Sequence, residues 1–133
     1  MSRRDDPHPG PLTPWQHVQH VLYYLHVALA TVVMGLAGIV LVVRHGRVGA
    51  NRVATRWIGY MIWAAKLHLG LTCEVRGTPP TTDCIVAAKH QSFWDILVIA
   101  HAVPRRAFIM KREVMRVPVM GWYAWKVSCI PID

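Results

Sequence analysis

Between Lys89 and Asp95 the chain reads KHQSFWD, which places an imidazole, a hydroxyl and a carboxylate at His90, Ser92 and Asp95. Histidine is the side chain whose charge changes near neutral pH. A carboxylate that accepts its Nδ1 proton fixes the tautomer in which Nε2 is a base, and stabilises the imidazolium formed when that base takes a proton. General-base catalysis of this kind is worth about 10² to 10⁴ in rate. On one helix, residues five apart point about 140° away from each other, so His90 and Asp95 could not meet there. They can meet if His90 lies in the turn before a helix and Asp95 in its first turn. The same residues support a plainer reading. Ser92 and Asp95 have the S-x-x-D spacing of a capping box, which would make Asp95 a helix cap and His90 a turn residue. Spacing alone leaves both readings open. Ser92 is not flanked by the glycines of a G-x-S-x-G elbow, and so reads as a cap rather than a nucleophile.

The elements around this stretch must present it outward from a core. CIVAAK (residues 84–89) is a short apolar run suited to a central strand, and SFWDILVIAHA (92–102) reads as a helix halted by Pro104. Upstream, LTCEVRG (71–77) alternates as a half-buried strand does, and TPPTTD is turn chemistry. Downstream, AFIMK reads as a strand, REVMRVPVMGWYAWKV as helix broken at Pro118, and CIPID as a further strand. Strands alternating with helices imply an α/β fold.

The N-terminal half has a different character. Residues 1–14, with Pro7, Pro9, Pro11 and Pro14, read as a flexible leader. Val21 to Val43 is an uncharged run of bilayer-crossing length interrupted by His26 and a few small residues. It exceeds a signal-peptide core, and no small-x-small cleavage site follows it. Thr13, Pro14 and Gln16 supply a helix start ahead of the run. After the turn RHGRVGAN a second helical pattern runs to Gly70, with Arg52, Arg56, Gly59, Trp63 and Lys66 on one face and apolar side chains on the other. A helix of that kind suits the headgroup boundary of a membrane, or packing on its own domain. Residues 15–70 are therefore read as a membrane-associated two-helix segment, either crossing the bilayer or dipping into one leaflet.

Charge agrees with a lipid partner. The net charge is +8, from fifteen Lys and Arg against seven acids, and no acid lies between Asp6 and Glu74. Four arginines (Arg44, Arg47, Arg52, Arg56) follow the apolar run, which by the positive-inside rule places that flank in the cytoplasm. Without a recognition-helix or RNA-binding signature, anionic lipid headgroups rather than nucleic acid are the expected partner. Cys73, Cys84 and Cys129 are odd in number and form no C-x-x-C pair, which fits free thiols, each expected as a small buried residue. A metal hydrolase built on Cys84, His90 and His101 lacks any paired-ligand spacing, and His101 is expected deep in an apolar helix.

KHQSFWD followed by RRAFIMKREVMRVPVMGW and then CIPID resembles the lysophosphatidate acyltransferase (1-acyl-sn-glycerol-3-phosphate acyltransferase) family, whose first motif is H-x-x-x-x-D. The order of a preceding strand, a Lys and acid after the next strand, P-x-x-G-W and I-P-I-D makes the resemblance specific. It extends from about Leu71 to the end. The resemblance implies transfer of an acyl chain from acyl-CoA or acyl carrier protein to the free hydroxyl of a lysophospholipid. His90 would be the general base, Asp95 would orient it, and Lys111 would lie near the acceptor's phosphate, with no metal and no cofactor beyond the thioester co-substrate. Together with the apolar run and the positive-inside rule, the expected location is a membrane, the bacterial inner membrane with the catalytic part facing the cytoplasm.

The sequence also departs from the family pattern. Lys89 stands where Asn is common, the Arg that usually follows I-P-I-D is absent, and so are the E-G-T-R and later proline-bearing motifs. Residues 71–133 are accordingly expected to be the first, incomplete part of an α/β acyltransferase domain, weakly active or inactive alone. The alternative is a non-catalytic membrane-binding fragment or degenerate relative.

Overall fold

The computed structural model describes residues 11–82, 84–89, 91–103 and 106–133. Nearly all of the leader, along with Pro104 and His90, lies outside the described residues. The chain is mostly helical. Helix α1 (Pro14–Leu69) begins where the capping signature indicates: Gln16 N–H donates to Thr13 Oγ1 at 3.3 Å, and Thr13 N–H donates to Gln16 Oε1 at 2.7 Å. It ends in a left-handed Gly70 whose N–H donates to Lys66 O at 3.1 Å, while Leu71 N–H reaches Ala65 O at 3.4 Å, a Schellman stop.

Within α1 one residue leaves helical geometry. Gly46, at φ 52° and ψ −129°, occupies backbone space open essentially to glycine alone, and it folds the helix into two antiparallel arms, 14–45 and 47–69. The expected turn RHGRVGAN is therefore much shorter than its composition suggests. Its other residues are helical, with Gly49 and Ala50 buried against the first arm and Arg44, His45, Arg47 and Val48 exposed. The polar interruptions of the apolar run face the opposite arm. Trp57 Nε1–H donates to Thr31 Oγ1 at 3.0 Å, and His26 sits between Tyr60 Oη at 2.5 Å and His68 Nε2 at 2.8 Å. Polar groups half-buried between two helices need such partners, and these bonds pair specific residues of the two arms.

Helix α2 (Phe93–Ala102) packs on the middle of this hairpin, where Ala30, Ile58 and Met61 meet Leu97 and Ala100. Strands β1 (Ile109–Lys111) and β2 (Ile130–Ile132) pair in parallel, with Ile109 opposite Ile130 and Lys111 opposite Ile132. A single 3₁₀ turn (Val114–Arg116) and helix α3 (Met120–Lys126) form the crossover between them. The ladder bonds Ile130 N–H to Phe108 O (2.8 Å) and Arg112 N–H to Ile132 O (3.0 Å) straddle Pro131, whose missing N–H is thus not called upon. Helix α3 is tied to the hairpin by Tyr123 Oη–H donating to Gly35 O at 2.8 Å, and a second core gathers Val42, Ala50, Val53 and Val127 near the elbow.

Three expectations are corrected. Residues 71–77 and 84–89 form no strand; Ile85 is 99% exposed. A strand is stabilised by its cross-strand neighbours, and among the described residues these segments have none. Cys73 and Cys84 are exposed and Cys129 is half-buried, all three unpaired, so only Cys129 approaches the role of a packed apolar residue. His101 lies not deep in its helix but exposed in its last turn, beside Gly59 of the second arm.

Candidate active site

Asp95 stands half-buried in the first turn of α2. Its Oδ2 accepts the backbone N–H of Gln91 at 2.6 Å and of Ser92 at 3.0 Å, and Oδ1 lies 2.8 Å from the N of Ile96. A carboxylate here answers two needs of a helix start, since it satisfies otherwise unpaired N–H groups and sits at the positive end of the helix dipole. The capping role read from S-x-x-D is therefore present. It also pins the backbone at 91–92, the two residues directly after His90. His90 itself lies outside the described residues.

Lys111 is exposed at the C-terminal end of β1. Ligands of open α/β sheets bind beyond the carboxyl ends of parallel strands, so this is a position from which a cation can meet one. The next residue is differently employed. Arg112 grips Asp133 with both guanidinium branches, Nε to Oδ1 at 2.6 Å and Nη2 to Oδ2 at 3.2 Å, and its backbone bonds Ile132. Arg112 and Arg116 are both exposed, and Arg112 fastens the ends of the two strands.

Behind α2 lies an almost wholly apolar cavity of about 160 Å³, lined by Phe93, Ile96, Leu97 and Ala100 of α2, Trp57 and Ile58 of the second arm, Phe108 and Met110, and Tyr123 and Ala124 of α3. Arg106 reaches it from the side, donating to Thr55 Oγ1 at 2.7 Å and Val103 O at 3.3 Å. Burial lowers the pKa of its guanidinium, only partly offset by the neighbouring Cys129. Sequence reasoning did not find this cavity. The signal available was that DILVIAHA is apolar on nearly every side, as suits a helix with partners on more than one face.

The site thus combines a helix capped by the aspartate of H-x-x-x-x-D with a parallel β-α-β crossover that carries a lysine at the end of its first strand. Residues 72–133 match the Acyltransferase family model. The particular relatives are all of one kind. The chain is similar to the 1-acyl-sn-glycerol-3-phosphate acyltransferase of Pseudomonas aeruginosa, 29% identical over 121 residues, which cover 89% of this chain and 47% of that protein. It is 33% identical to the mouse 1-acyl-sn-glycerol-3-phosphate acyltransferase alpha over 89 residues (64% of this chain, 31% of that protein). Against the human beta enzyme it is 29% identical over 101 residues (73% and 36%). The chain thus spans less than half the length of each of these relatives. No solved structure matches it.

Proposed function

We propose that these residues serve phospholipid biosynthesis, transferring an acyl chain from an acyl-CoA or acyl carrier protein thioester to the free hydroxyl of 1-acyl-glycerol-3-phosphate or a related lysophospholipid. The observation that carries the reading is the placement of Asp95, in a chain whose relatives bear that activity in their names: it caps α2 and anchors the backbone immediately after His90. His90 acts as general base. Its Nε2 removes the proton from the acceptor hydroxyl as that oxygen attacks the thioester carbonyl, and the imidazolium then protonates the departing thiolate. Asp95 orients the ring and stabilises its charged form. Lys111 draws the acceptor's phosphate toward the strand ends, and the apolar cavity behind α2 suits an alkyl chain. The β1–β2 unit is read as the beginning of a larger α/β sheet.

The hairpin is read as lying along one leaflet at the cytoplasmic face of a bacterial inner membrane. Support comes from its two faces. One is covered at mid-length by α2 and α3, polar residues included, which a bilayer core would not accept. The other exposes Leu25, Leu29, Val33, Leu36 and Val40, with Trp15 and Tyr24 toward the free end of the hairpin. An apolar face beside exposed aromatic and basic side chains matches an interfacial helix.

The complete protein carrying this sequence, assayed in nanodiscs with acyl-CoA or acyl carrier protein thioesters, is expected to release thiol only when lysophosphatidate is added, with the diacyl product seen by mass spectrometry. Equal release without acceptor would make it a thioesterase and overturn the proposal.

A further inference from the structure

The hairpin carries a second recess, separate from the cavity behind α2 and sharing with it only Val53. This cleft of about 400 Å³ lies at the elbow. Met34, Ala37, Val40, Leu41 and Val53 line it together with three basic side chains, Arg44, His45 and Arg56. Val53 is buried, Met34 and Leu41 are half-buried, and the three basic residues are exposed, so the cleft is apolar inward and cationic at its mouth. Its size falls within the range of small-ligand sites.

The charges at the mouth have no counterpart in the hairpin. No Asp or Glu occurs between residues 7 and 73, and among the described residues Arg44, His45 and Arg56 form no ion pair. Two arginines contributed by opposite arms can each grip phosphate oxygens through paired N–H donors, a geometry that lysine lacks. An anionic group attached to an alkyl chain satisfies both parts of the cleft at once. A free anion would leave the apolar part uncovered.

We propose that this cleft binds one anionic phospholipid of the membrane, with its phosphate held between Arg44 and Arg56 and the first part of its acyl chains laid on Met34, Leu41 and Val53. The inference rests on the reading of the hairpin as membrane-seated, and it gives the elbow a fixed depth at the headgroup level.

The full chain, purified in mild detergent and offered equal amounts of phosphatidylglycerol and phosphatidylcholine, is to be analysed by native mass spectrometry. Retention of one phosphatidylglycerol in preference to phosphatidylcholine is expected. Arg44→Gln with Arg56→Gln should lower that retention about thirtyfold. Arg47→Gln with Arg52→Gln removes the same charge from outside the cleft and should leave retention in place. Equal loss in both pairs would overturn the proposal in favour of general charge attraction. Displacement of the lipid by millimolar inorganic phosphate would overturn it in favour of a plain anion site. Flotation on neutral phosphatidylcholine vesicles separates the two readings. A wild-type chain that does not float overturns the membrane reading and this proposal with it, whereas one that floats but shows no lipid preference overturns the proposal alone.

Discussion

Asp95→Asn is expected to lower acyl transfer by up to about 10⁴-fold while leaving membrane association unchanged. The two roles open to this carboxylate predict costs of different size. As a cap it accepts the N–H groups of Gln91 and Ser92 on one oxygen and lies within reach of Ile96 N–H on the other. An amide keeps one acceptor oxygen and turns the other side into a donor, so some of these bonds are lost. Loss of a cap costs about 0.5 to 2 kcal/mol of stability. As the partner of an imidazolium, Asp95 supplies a negative charge that an amide cannot, and a 10⁴-fold loss corresponds to about 5.5 kcal/mol. The turnover of folded protein, measured beside its thermal midpoint, separates the two. A lowered midpoint with near-normal turnover would leave Asp95 a cap and nothing more.

The second large effect is one of fold. Gly121, the glycine of P-x-x-G-W, is buried in the first turn of α3, and a Cβ there would lie 2.0 Å from Met115 O and 2.5 Å from Met115 C. The obstruction is backbone and cannot swing aside as a side-chain end would. Gly121→Ala must therefore push α3 away from the 3₁₀ turn, and with it the Tyr123 hydroxyl from Gly35 O. A loss of about 1 to 3 kcal/mol is expected, more for Gly121→Val. Chemical denaturation measures it, and an unchanged midpoint for Gly121→Ala would show that the turn relaxes freely.

What could be read from the sequence followed the range of the interactions. The Thr13–Gln16 cap, the Gly70 stop and the start of α2 after Ser92 are each decided within about one helical turn, and their residue types announce them. AFIMK and CIPID were legible as strands, although each forms only three residues of ladder. LTCEVRG and CIVAAK carry equally good strand patterns but find no partner among the described residues, and pattern alone does not supply one. The elbow was located but overextended, because only Gly46 has to leave the helix. His26 looked like a blemish in an apolar run until Tyr60 and His68 of the other arm met it. The cavity behind α2 draws on segments far apart in the chain, with the all-round apolar DILVIAHA as its one local mark, and the basic cleft forms only where residues 34–45 of the first arm meet Val53 and Arg56 of the second. For the site, the spacing S-x-x-D placed Asp95 in its turn, and the strand pattern placed Lys111 at the end of β1. The proposed meeting of His90 with Asp95 is a matter of three-dimensional approach that neither spacing nor capping decides.

That meeting is tested most directly by comparing His90→Ala, Asp95→Asn and the double variant in the complete protein, each normalised to folded, membrane-bound enzyme. Residues that act as one unit are non-additive, since removing the base already forfeits what its partner supplied. The expected result is that His90→Ala abolishes acceptor-dependent thiol release to background and that adding Asp95→Asn lowers it no further. Substantial turnover in His90→Ala, or a double variant whose loss equals the product of the two single losses, would contradict the dyad.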